Sequence, residues 1–84
     1  MPTRRLVFSP LASKQLRALH PPLSERVRLA LDQIASDIFA GKPLKGPLKG
    51  KFSYRIGDWR IIYLPQDDSV FIETIDHRGR VYRG

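Results

Sequence analysis

The sequence predicts an α+β fold, in which a helical hairpin packs on a small, mainly antiparallel sheet in the order β-α-α-β-β-β. Three observations carry this expectation. Leu23, Val27, Ala30, Leu31, Ile34 and Ile38 recur at steps of three and four, the mark of one apolar helix stripe. From residue 51 onward three runs, "KFSYRI", "WRIIYL" and "VFIETID", are rich in β-branched and aromatic residues. The first two are separated by Gly57-Asp58 alone, and two residues with glycine first predict a tight hairpin turn. At 84 residues the chain reads as a single domain, 1–84, with little surplus core.

The elements follow in order. "RRLVF" is a short strand, ended by Ser9-Pro10. Serine at an N-cap accepts an orphan N–H, and proline at N1 has no donor to lose. A first helix is expected to about Leu19, with Leu11, Leu16 and Leu19 facing inward, and "HPP" stops it. A second helix is expected from Pro22 or Leu23 to Ala40, with Gly41 as its C′ residue. "KPLKGPLKGK" contains Pro-Leu-Lys-Gly twice. Its prolines and glycines predict a loop, pinned to the core by Leu44 and Leu48.

Composition excludes several functions. The chain is 42% hydrophobic with a net charge of +7, which fits an ordered basic domain rather than a disordered tail. Without cysteine it can form no disulfide and no thiolate metal site. His20 and His77 lie far apart, so neither a metal nor another cofactor is expected. No apolar run approaches the ~20 residues of a membrane span, and the N-terminus lacks a signal-peptide core. A cytoplasmic protein is expected.

The charge is concentrated. Residues 42–60 carry Lys42, Lys45, Lys49, Lys51, Arg55 and Arg60 against Asp58 alone. With Gly57-Asp58 in the turn, Phe52, Tyr54, Ile56, Trp59, Ile61 and Tyr63 share one face of the hairpin. That face is read as core, although Trp59 and the tyrosines also fit a base-stacking platform. The other face carries Lys51, Ser53, Arg55 and Arg60, followed by Ile62 and Leu64, and sets Arg55 directly opposite Arg60. Like charges in that relation oppose folding. A hairpin face that gathers cations without interleaved acids suits phosphate, the alternative being a plain solvated surface.

"SYRIGDWRIIY", followed after one strand by "IDHRGRVYR", resembles the RelE/ParE superfamily of bacterial toxins, in its RelE-like branch. The similarity extends to "LVFSPLASKQLRAL" and the helical hairpin. It implies a small antiparallel sheet backed by two helices, and a toxin that cuts messenger RNA on the ribosome without a metal, by attack of the ribose 2′-OH on the neighbouring phosphate. The implied partners are a cognate antitoxin and the ribosome with its mRNA and rRNA.

The same resemblance implies residue roles. Arg60, of the GD-aromatic-Arg motif, and Arg78, of the HR motif, would clamp the scissile phosphate. Tyr82 would donate a proton or stack on a base, unless it is a terminal packing group. The family's lysine-bearing strand corresponds to 51–55, which makes Lys51 and Arg55 candidates and Ser53 a departure. His77 is either an acid–base group, as histidine's ordinary titration range allows, or a residue closing the last strand. Lys42, Lys45 and Lys49 are expected on RNA backbone. Two other functions stay open: a ParE-type inhibitor of DNA gyrase, against which "HRGRVY" argues, and a non-catalytic RNA- or ribosome-binding module.

Overall fold

A computed structural model describes residues 3–77. Strand β1 (Arg5–Phe8) leads into helices α1 (Pro10–Arg17) and α2 (Leu23–Ser36), followed by β2 (Lys42–Pro43), a 3-10 turn (Gly46–Leu48), β3 (Phe52–Ile56), β4 (Trp59–Pro65) and β5 (Ser69–His77). The sheet has five strands in the order β1-β5-β4-β3-β2. β1 pairs parallel with β5, and the other neighbours are antiparallel. The expected α+β order stands, with β2 added inside the segment expected to be a loop. Lys42 and Pro43 pair with Ser53 and Phe52, as an edge position permits for a proline. Leu44 and Leu48 are half-buried.

Both helices pack on one side of the sheet. Val27, Ala30, Leu31 and Ile34 of α2 and Ala12 of α1 meet Ile56, Ile61, Tyr63, Val70, Ile72 and Ile75. A fully buried isoleucine such as Ile61 contributes about 1.5–3 kcal/mol relative to an exposed one. Two sequence expectations fail here. Leu11 is 53% exposed, and Ala12 takes the buried position instead. α2 ends at Ser36 rather than Ala40, because Asp37 turns its carboxylate onto the N–H of Phe39 at 3.0 Å, a local bond that competes with the helix.

The chain leaving α2 is then held by Tyr63. Its buried hydroxyl donates to the Ile38 carbonyl and accepts from the Gly41 N–H, both at 2.8 Å. Burial pushes the Tyr63 phenol above its ordinary value, and the Gly41 hydrogen bond partly opposes this. Gly41 is therefore needed for close approach rather than as a helix cap. A Cβ there would lie 2.8 Å from both the Ser53 carbonyl oxygen and the Tyr63 hydroxyl.

The expected cap of α1 is present. The Ser9 hydroxyl accepts from Ala12 N at 2.9 Å and donates to the Glu73 carbonyl at 2.7 Å. Glu73 is an extra residue in β5: Ile62 pairs with Thr74, but Tyr63 pairs with Ile72. α1 braces this bulge a second time, since Gln15 Oε1 accepts from the Ile75 N–H at 2.6 Å and the Thr74 hydroxyl at 3.1 Å.

Candidate functional site

The tight turn forms as expected, with Gly57 at φ 58°, a conformation that glycine adopts without strain. The β3–β4 register follows from it. Phe52 pairs with Tyr63, Ser53 with Ile62, Tyr54 with Ile61, Arg55 with Arg60 and Ile56 with Trp59. Phe52, Tyr54 and Trp59 pack against the core, so the inner face is a packing face rather than a stacking platform.

On the outer face, β2 sets Lys42 opposite Ser53. Lys42, Leu44, Ser53, Arg55 and Arg60 line a cleft of about 400 Å³. Three cations and a hydroxyl thus converge on one concavity. Arg55 Nε donates to the Gly57 carbonyl at 3.2 Å, which holds the guanidinium toward the turn. Such a group can bind an anion through charge-assisted, directional hydrogen bonds.

β5 changes the electrostatics of this face. Asp76 pairs with Arg60, which gives the row Arg55, Arg60, Asp76 across three strands. Glu73 forms an ion pair with Lys51, Nζ to Oε2 at 2.8 Å. The pair bridges over β4, where Ile62, on the same face, is 3% exposed. The hairpin face is acid-free as expected, but the assembled face is not: a third strand supplies the acids.

The remaining candidates fall in different places. Lys51 is held by Glu73 rather than lining the cleft. His77 pairs with Trp59, which places it on the helix-facing side, edge-on to the indole at 5.8 Å, and not on the face of Arg60. Lys45 and Lys49 are exposed, flanking the 3-10 turn. Arg78 and Tyr82 lie outside the described residues. Sequence reasoning did not find Asp76 and Glu73 as site residues: plain alternation through "VFIETID" would set Ile75 opposite Arg60, and only the bulge at Glu73 brings Asp76 there.

A larger cavity of about 640 Å³ lies between α2 and β3, lined by Arg26, Leu29, Gln33, Tyr54, Arg55 and Gly57 among others. Its exposed Leu29 and its position on the sheet edge make it less suited to phosphate than the smaller cleft. Among the described residues no group of three or more His, Asp or Glu side chains is placed to hold a metal. No helix among them is long and apolar enough to cross a membrane.

Comparison with known proteins agrees with the fold. Residues 6–82 match the model of the ParE toxin of type II toxin–antitoxin systems, parDE. Toxin RelG of Mycobacterium tuberculosis (strain ATCC 25618 / H37Rv) is 35% identical over 80 residues, covering 90% of this chain and 92% of that protein. A chain of the toxin–antitoxin complex RelBE2 from the same species superposes with a TM-score of 0.78 at 31% identity, covering 92% of this chain and all of that one (100%). The YoeB/ParE toxin from Agrobacterium tumefaciens shares the fold, with a TM-score of 0.77 at 18% identity over 88% of this chain and 98% of that one. The described fold and a family match that runs from β1 past β5 lead to one assignment: the chain belongs to the ParE toxin family of type II toxin–antitoxin systems, within the RelE/ParE superfamily.

Proposed function

We propose that this toxin is a ribosome-dependent, metal-independent endoribonuclease that cuts messenger RNA and so inhibits translation in the cytoplasm. The observation that carries the reading is the Arg55–Arg60 pair, set directly opposite across the hairpin and lining one cleft with Lys42 and Ser53. Two arginines placed together against their own repulsion suit a group whose negative charge grows during reaction. In the proposed step the ribose 2′-oxygen attacks phosphorus, and the guanidinium groups stabilise the phosphorane charge better than the ground-state phosphate. The family resemblance adds Arg78 to the clamp and Tyr82 as the proton donor to the departing 5′-oxygen. Lys42, Lys45 and Lys49 hold RNA backbone, and Lys51, paired with Glu73, supports the field rather than the chemistry.

The partner proposed for the resting state is a cognate antitoxin, as in the toxin–antitoxin complexes among the structural relatives. Its proposed seat is the α2–β3 groove. β2 pairs only with Phe52 and Ser53, so among the described residues Tyr54, Arg55 and Ile56 have no strand on their outer side. An extended segment could add a strand there and reach Arg55. A second reading, inhibition of DNA gyrase, is favoured by the match to the ParE model.

Primer extension on a defined mRNA in a translation extract, with and without translating ribosomes, tests the first reading. Cuts that require ribosomes and vanish in Arg60→Ala support it. Their absence, together with loss of gyrase supercoiling activity on adding the protein, moves the assignment to the second. RNA binding with neither activity leaves a non-catalytic module.

A further inference from the structure

Resting on the nuclease reading, we propose that Asp76 is its proton acceptor, the group that takes the 2′-hydroxyl proton while Arg55 and Arg60 hold the phosphate. The reaction needs a Brønsted base within reach of the ribose that precedes the clamped phosphate. The fold disqualifies most candidates. His77 lies on the helix-facing side, against Trp59. His20 is exposed in the turn between the helices. Glu73 is engaged by Lys51 at 2.8 Å. Asp67 and Asp68 sit in the turn between β4 and β5, at the end of the sheet away from the Gly57 turn. Asp76 alone among the described acids shares both a face and a row with the two arginines.

The dimensions fit. Neighbouring strands lie about 4.8 Å apart, so the row Arg55, Arg60, Asp76 spans about 10 Å, room for one phosphate and its ribose. The carboxylate is also oriented. Asp76 Oδ1 accepts the His77 backbone N–H at 2.7 Å. Arg60, beside it in the register, offsets the repulsion between carboxylate and phosphate. Asp76 is half-buried, open to a substrate on this face but not fully hydrated.

The step balances. The 2′-O–H bond breaks and its proton passes to Asp76 Oδ2. The O2′–P bond forms and the P–O5′ bond breaks, giving a 2′,3′-cyclic phosphate. The departing 5′-oxygen takes its proton from Tyr82 in the reading above.

The test is single-turnover cleavage of a synthetic mRNA on programmed ribosomes by the full chain and its variants. Asp76→Asn should slow cleavage by about 10²–10⁴-fold. Its affinity for an uncleavable mRNA with a 2′-deoxyribose in the A-site codon should not change. Asp76→Gly should regain rate on adding formate, in proportion to its concentration. A 5′-bridging phosphorothioate, whose leaving group needs no acid, should leave the Asp76→Asn defect in place. A wild-type rate in Asp76→Asn, a defect that formate does not rescue, or recovery on the phosphorothioate would each overturn the proposal. If Asp76→Asn melts early, Asp76→Glu with wild-type melting decides: near-wild-type cleavage supports the base, and a rate as low as that of Asp76→Gly overturns it. Arg60→Ala separates the two levels. Undiminished cleavage in that variant sinks the nuclease reading itself, whereas a slow Arg60→Ala beside an unimpaired Asp76→Asn confines the failure to Asp76.

Discussion

On the inner face of the β3–β4 hairpin, Ile56, Ile61 and Tyr63 are buried in the core and Phe52, Tyr54 and Trp59 pack around them. On the outer face of the same ten residues, Ser53, Arg55 and Arg60 line an open cleft. The two faces share one backbone and one register, yet one is selected for packing and the other carries charge that works against folding. The inner face holds the register, since a one-residue slip would expose its aromatics, and it thereby holds Arg55 opposite Arg60. The packed core and the charged cleft are separated across the thickness of a single sheet.

That separation can be broken by substitution. Ile61→Ala should have the largest effect, a loss of about 2–5 kcal/mol, read as a lowered denaturant midpoint with any activity loss following the unfolded fraction. Arg60→Ala should do the reverse, lowering single-turnover cleavage by about 10²-fold or more with the melting temperature nearly unchanged. Tyr63→Phe should cost about 1–3 kcal/mol, because the Gly41 N–H and the Ile38 carbonyl lose their partner.

Tyr63 also sets an alkaline limit. Its folded-state value lies above the ordinary one, so its contribution is complete below about pH 10, where the unfolded tyrosine begins to ionise, and is lost as pH rises through the folded value. Tyr63→Phe should flatten that alkaline fall in stability, as followed by chemical denaturation at stepped pH. The smallest effects belong to the outer surface. A double-mutant cycle on Lys51 and Glu73, both partly exposed, should give a coupling below about 1 kcal/mol. Lys45→Ala should weaken RNA binding modestly and lower the slope of log K against log salt by about 1.

The hairpin was legible in the sequence because its information is local: Gly57-Asp58 fixes the turn, and alternation then assigns every side chain from Phe52 to Tyr63. The stripe of α2 was legible for the same reason. Its end was not, because Asp37 and Tyr63 act there through a side-chain turn and a contact between residues far apart in the chain. The site was half legible. Arg55 and Arg60 follow from the turn, but the acids that complete their surroundings come from β5, where the bulge at Glu73 interrupts simple counting. His77, attractive by residue type alone, turns out to share its face with Trp59.

The bulge at Glu73 carries one more consequence, for the order in which the molecule assembles. Its carbonyl is capped by Ser9, 64 residues away in sequence, and β1 has as its only strand neighbour β5, among the described residues. The first strand described is thus completed by the last. Contacts of such long separation close late in folding. Synthesis runs from the N-terminus, so β1 and the helical hairpin are made before β5, the strand they require and the one that brings Asp76 beside Arg60. A chain in which β5 has not yet been made is therefore an unfinished fold. The row of Arg55, Arg60 and Asp76 is assembled only once both ends of the fold meet.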